Sequence, residues 1–121
     1  MLTTLYSSAL TDLLFAKSND FVGIYDLGDE RFVRVNPAGV RMLGFSSEQA
    51  LLNDPVRSRS LRVLPLNTEH RFRLVEQIRQ TGQHEETAQI GRLNGHSFWG
   101  QLTVNAFEAH DHPYALVQII D

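Results

Sequence analysis

The sequence predicts an α+β fold: a five-stranded antiparallel sheet, a helical section between its second and third strands, and an amphipathic helix ahead of the first. Three observations predict it. Two hairpin patterns, at residues 21–35 and 84–107, flank a stretch punctuated by helix caps. The closing stretch YALVQII, residues 114–120, is apolar at both alternating sets of positions, as a strand in the middle of a sheet must be. Leu2, Leu5, Tyr6, Ala9, Leu10, Leu13 and Ala16 repeat at helical spacing, with Thr4, Ser8, Thr11 and Asp12 largely on the other side.

A chain of 121 residues makes one domain with a core large enough to need no covalent staple. It contains no cysteine, which removes disulfides, thiolate metal sites and cysteine nucleophiles. A net charge of -3 gives no electrostatic case for nucleic acid or an anionic membrane as partner. No apolar run approaches a membrane span, and the leading residues lack a basic region and carry Asp12 among their apolar ones. A cytoplasmic protein without a signal peptide is expected.

The leading helix is expected over residues 3–17, and it either covers part of its own domain or pairs with a second copy. Ser18, Asn19 and Asp20 break it. FVGIYDL, residues 21–27, then reads as an interior strand whose apolar residues on both faces argue for a sheet covered on both sides, and residues 27–30 as its turn. In the return strand Phe32, Val33 and Val35 favour extended backbone. Asn36 is a helix N-cap with Pro37 at the first helical position, and Gly44 suits the left-handed conformation that ends a helix. Ser46 with Gln49 forms a capping-box pattern for the next helix.

Residues 51–65 read as a loop with a helical turn around 59–64, its Arg57, Arg59 and Arg62 expected in solvent without converging. Asn67 or Thr68 caps a longer helix ended by Gly82, with Phe72, Val75 and Ile78 along one side and Leu74 beside them. Asn94-Gly95 marks a hairpin turn, which places Leu93 opposite His96 and Ile90 opposite Trp99 unless a bulge shifts the register. Phe98, Leu102, Val104 and Ala106 form the core face of the second strand. Trp99, Gln101, Thr103, Asn105 and Phe107 form a face suited to the leading helix or a partner subunit.

The Asp26 turn, NPA at 36–38, LGFSSEQ at 43–49, the helix ending in TGQ at 81–83, RLNGHSFWGQLTV at 92–104 and YALVQIID at 114–121 together resemble the PAS domain, a sensory module of bacterial and eukaryotic signalling proteins. The resemblance spans residues 19–121. It implies a PAS-like five-stranded antiparallel sheet with helices on one face, preceded by an N-terminal capping helix at residues 1–18. It also implies a sensory or interaction module of a signal transduction protein, such as a bacterial two-component system, that homodimerises, takes a small apolar ligand and signals to an output domain. The ligand walls would come from Val40, Leu43, Phe72, Val75, Ile78, Phe98, Leu102 and Val104. The dimer interface would come from Leu5, Ala9, Leu13 and Trp99. If those eight wall residues simply pack together, the domain is a ligand-free dimerisation module instead.

Neither haem nor flavin is supported. A light-sensing flavin-binding relative needs a cysteine, and matching Arg71 and Arg73 to the arginine pair of haem-binding relatives puts Leu74 where the iron ligand would stand, with His70 one turn too early. No metal site is expected at His110, Asp111 and His112, which read as a solvated loop, and His84 and His96 are expected to be exposed. No enzyme motif is present. The competing reading is a small cone-shaped isomerase with Asp26, Tyr25 or Tyr114 in its pocket, which requires a carboxyl group of raised pKa. Asp26 instead falls at a turn, where its side chain is expected to bond nearby backbone, and Glu85 and Glu86 point to opposite faces of a strand.

Overall fold

The chain runs α1 (Leu2–Lys17), β1 (Phe21–Asp26), β2 (Arg31–Val35), α2 (Pro37–Leu43), α3 (Glu48–Asn53), α4 (Thr68–Thr81), β3 (Gln83–Gly91), β4 (Ser97–Ala109) and β5 (His112–Ile120). The computed structural model describes residues 2–64 and 66–121, the side chains of residues 2–8 and Thr11 excepted. The five strands form one antiparallel sheet in the order β2-β1-β5-β4-β3. β5 is therefore its centre and β1 is interior, as their two-sided apolar patterns predict.

The turn from sheet to helices is built on Asn36, which is fully buried. Its Oδ1 accepts from Gly39 N–H and from Val22 N–H, both at 2.9 Å, so one oxygen caps α2 and holds β1. Its Nδ2 donates to the Asp20 carbonyl at 2.9 Å, and its backbone N–H to that of Val22. Gly39 is required beneath it, since a Cβ there would lie 2.7 Å from the Phe21 ring and 2.8 Å from Asn36 Oδ1. α2 ends at Gly44, whose φ of 83° is the left-handed cap the sequence predicts, and Phe45 N–H closes the motif on the Val40 carbonyl at 3.0 Å.

Three local expectations are corrected. The N-cap of α3 is Ser47, not Ser46; its Oγ accepts from Ala50 N–H at 3.0 Å. The Glu48 carboxylate is then free to take the Val35 N–H and Arg34 Nε, both at 2.9 Å, which ties α3 to β2, while Gln49 donates to Asn53 instead of closing a capping box. The helical turn in the irregular segment comes earlier, where Asp54 Oδ1 accepts from Val56 and Arg57 N–H, and residues 61–63 are extended. Gly91 N–H donates to the Leu61 carbonyl and Val63 N–H to that of Gln89, so this segment pairs with the edge of β3.

The third correction is the β3–β4 register. Ile90 faces Phe98 and Gln89 faces Trp99, one residue off the tight-turn expectation. Arg92 N–H bonds the His96 carbonyl and Gly95 N–H the Arg92 carbonyl, with Gly95 at φ 89°, so the loop holds three residues and a bulge. The shift is what allows Ile90 and Phe98 to share the inner face. A second bulge lies between β1 and β2, where Tyr25 faces Phe32 while Ile24 faces Arg34. The skipped Val33 lets both Phe32 and Val35 turn inward, and the Phe32 ring meets Phe21 and Tyr25 edge-on.

The core lies between the inner sheet face, including Phe21, Val104, Val117 and Ile119, and Val40, Leu43, Leu51 and Ile78 of the helices. Among the described residues the outer face is open around Trp99 and Ile120, which are 66% and 53% exposed, while α1 packs on α2 with Phe15 under the Arg34 guanidinium. The two-sided apolar strands therefore do not signify a sheet buried on both sides within one chain. Among the described residues no helix is long and apolar enough to cross a membrane.

Asn36→Ala removes an acceptor from two buried N–H groups and a donor from one carbonyl, and should cost about 3–5 kcal/mol. Ser47→Ala, at an exposed cap, should cost about 1 kcal/mol. Urea unfolding followed by circular dichroism checks the contrast.

Candidate functional site

Between α4, the segment around Leu61 and the inner face of the sheet lies a cavity of about 130 Å3. Its apolar wall comes from Leu27 and Phe32, from Leu61 and Leu66 of the loop, from Leu74, Val75 and Ile78 of α4, and from Ile90, Leu102, Val104, Ala115 and Val117 of the sheet. Tyr25, Arg59, Ser60, Arg62 and Arg71 supply its polar part. Arg71, Leu74, Val75 and Ile78 form a single helical stripe at i, i+3, i+4 and i+7. Asn67 starts the helix in this phase by accepting from His70 N–H at 2.8 Å, and Gly82 ends it at φ 83°.

The arginines are held by short-range partners. Arg71 Nε donates to Glu30 Oε1 at 2.7 Å, and Arg59 Nη1 to the Asp29 carbonyl at 3.1 Å. Both acceptors belong to the β1–β2 turn, where Glu30 adopts a left-handed φ of 54°. The Tyr25 hydroxyl donates to the Arg59 carbonyl at 3.0 Å; burial, reinforced by the Glu30 carboxylate, pushes its pKa up to about 12. Arg62 pairs with Glu86 on β3, and His84 Nε2 lies 2.9 Å from the same carboxylate oxygen. The Arg62 hydrogen bond, with help from His84, holds the Glu86 carboxyl below its usual range against the opposing effect of burial.

A family model described as "PAS domain" matches residues 14–79, more than half of the chain. This chain belongs to the PAS domain family. The match runs from the end of α1 through most of α4. Solved structures similar to this PAS domain include the PAS domain of an HTR-like protein from Haloarcula marismortui, at 17% identity and TM-score 0.76 over 98% of this chain and 94% of that one. A domain of a sensory box sensor histidine kinase/response regulator from Geobacter sulfurreducens gives 18% identity and TM-score 0.76 over 98% and 96%. The PAS domain of a Colwellia psychrerythraea protein gives 19% and 0.76 over 93% and 94%. No match was found among curated protein sequences.

The PAS domain brings Val75, Ile78, Leu102 and Val104 together in the cavity wall. It places the other four expected wall residues elsewhere. Phe72 follows Arg71 by about 100° around α4 and is 63% exposed. Val40 and Leu43 are buried in the core on α2, and Phe98 sits at the far end of the sheet under the Arg92 guanidinium, 4.6 Å from its ring centre. Reading the stripe of α4 from Arg71 rather than Phe72 would have found Leu74. The arginines carried no such signal, because Arg59 and Arg62 reach the cavity from an irregular segment.

Asp26 does not line the cavity. Its Oδ1 accepts from Gly28 N–H at 2.8 Å and Asp29 N–H at 2.9 Å, the turn role its position predicts, and from His112 Nε2 at 2.6 Å. Burial pushes its pKa up, but the Asp29 N–H, the His112 imidazole and the Gly28 N–H outweigh it and hold the carboxyl below its ordinary range. The isomerase reading needs the opposite. Tyr114 is no better placed, stacked on Phe107 at 5.6 Å between ring centres. Of the expected solvated loop, only His110 and Asp111 form the turn; His112 is already in β5. His70 is exposed in the first turn of α4 and does not line the cavity, while His84 is half-buried, not exposed. Among the described residues no three His, Asp or Glu side chains are grouped as metal ligands.

A carboxyl whose pKa is lowered by folding contributes stability that is complete above its ordinary value, 3.8, and is lost as the pH falls through the folded value. Asp26→Asn should therefore cost about 1 kcal/mol at neutral pH, and the difference from the unsubstituted chain should shrink as the pH falls below the ordinary carboxyl range. Urea unfolding of both proteins across that range checks it; a pH-independent difference would contradict it.

Proposed function

We propose that this PAS domain is a cytoplasmic sensory module of a signal transduction protein, holding a small molecule in the cavity beneath its sheet, homodimerising, and passing the signal to an output domain. The cavity carries the reading. At about 130 Å3 it is close to the ~150 Å3 that accommodates a benzene-sized molecule. It is well below the roughly 300–1,000 Å3 of sites for larger ligands. Two of its walls are attached in ways a ligand can alter: α4 by the Arg71–Glu30 pair, and the loop by Arg62–Glu86 and its two backbone bonds to the β3 edge. A ligand that fits one arrangement of these walls better than another shifts the balance between them, which is what signalling requires. The sensor histidine kinase among the similar structures supports an output domain of that kind.

The dimer is read from the surface. Trp99 and Ile120 on the outer sheet face, and Leu13 and Leu14 of α1, are exposed large apolar side chains, and Ala9 is exposed beside them in sequence. The side chain of Leu5 lies outside the described residues. A second copy covering this surface would give the outer face the layer it lacks within one chain.

Benzene at about ten times its Kd should raise the Tm by about 4–7 °C through preferential binding to the folded state. Val75→Phe, which fills the cavity from α4, should abolish that shift. Thermal unfolding with and without benzene checks both. An unchanged Tm up to saturation in the unsubstituted protein would count against the cavity as a seat for an apolar body of this size.

A further inference from the structure

The lining of the cavity is charged with one sign. Arg59, Arg62 and Arg71 face it, and among the described residues no Asp or Glu does. Two carboxylates reach these guanidinium groups from outside the lining, Glu86 at Arg62 and Glu30 at Arg71. Three cations against two anions leave one positive charge, and the geometry shows where it sits. Among the described residues no carboxylate lies within ion-pair distance of Arg59, whose Nη1 is directed at backbone carbonyls of the β1–β2 turn. Arg71 is engaged through Nε alone among the described residues, so its outer nitrogens remain available. Arg59 is exposed and Arg71 partly so, which puts both at the mouth, while Leu74, Ile78, Val104 and Val117 close the interior.

We propose that the ligand of this cavity is a compact monocarboxylate, with an apolar body of about benzene size seated against α4 and the sheet and its carboxylate held at the mouth by Arg59 and Arg71. The inference rests on the reading of the cavity as a ligand site. The guanidinium fork matches a carboxylate through paired N–H donors, which a point charge does not. The mouth already holds one carboxylate, that of Glu30, on the single Nε–H of Arg71. The Tyr25 hydroxyl adds no negative charge to offset Arg59, because its pKa near 12 keeps it neutral and its proton is given to the Arg59 carbonyl. One unmatched cation favours a single negative charge over two, and the volume limits the body to roughly six to eight non-hydrogen atoms.

Benzoate and benzamide, nearly equal in shape and different in charge, make the test. Calorimetric titration at neutral pH should show benzoate binding at least about tenfold tighter than benzamide, a preference that falls as salt is added. Arg59→Gln should bring the ratio to about one, and Arg59→Lys should restore part of it. Equal binding of benzoate and benzamide, with benzene still bound, would overturn the carboxylate assignment and leave the cavity reading standing. Failure of all three compounds would overturn both. Should Arg59→Gln not fold, as judged by circular dichroism, the affinity ratio and its salt dependence in the unsubstituted protein decide the matter alone.

Discussion

The side chain of Asn36 is the joint on which the rest of the structure depends. One buried amide joins the segment before β1, the second residue of β1, the end of β2 and the first turn of α2. Buried amide and N–H groups have no water to fall back on, so these bonds are made together or the chain does not close here. Their consequence reaches the site. With β1 and β2 fixed, the turn between them presents the Asp29 and Glu30 carbonyls and the Glu30 carboxylate to Arg59 and Arg71, so the polar mouth of the cavity is positioned from the opposite end of the same hairpin.

The inner face of the sheet then does two things at once. Near α2 it is filled, with Phe21, Val35, Leu43 and Leu51 buried against one another. Toward α4, Leu102, Val104, Ala115 and Val117 of the sheet and Leu74, Val75 and Ile78 of the helix line the remaining space. A cavity in otherwise close-packed protein forgoes dispersion contacts, which a ligand can restore. Its placement beside a helix and a loop, rather than between strands, means that occupancy acts first on the elements least constrained by backbone pairing.

Much of the fold was legible because its joints are chemical. Asn36-Pro37, Gly44, Asn67 and Gly82 each have one dominant backbone use, and the structure employs all four accordingly. The central position of β5 followed from its apolar residues at both alternating sets of positions. Legibility failed where the outcome depends on what a residue meets across space. The three-residue loop at Leu93, Asn94 and Gly95 was settled by the need to bring Ile90 and Phe98 to one face, which no local signal reports. Residues 61–63 pair with β3 because its edge is open, and that edge exists only once the sheet is assembled. For the site, Val75, Ile78, Leu102 and Val104 of the expected wall line the cavity, while Phe72 and the arginines depended on the phase of α4 and the path of a loop.

Native mass spectrometry of the freshly purified protein tests the central claim most directly, since one spectrum reports subunit number and any retained small molecule. A ligand-binding, self-associating sensory domain gives a dimer whose mass exceeds that of two chains by a small organic molecule per subunit. A monomer at the bare mass of one chain, under conditions that preserve weak complexes, would contradict it.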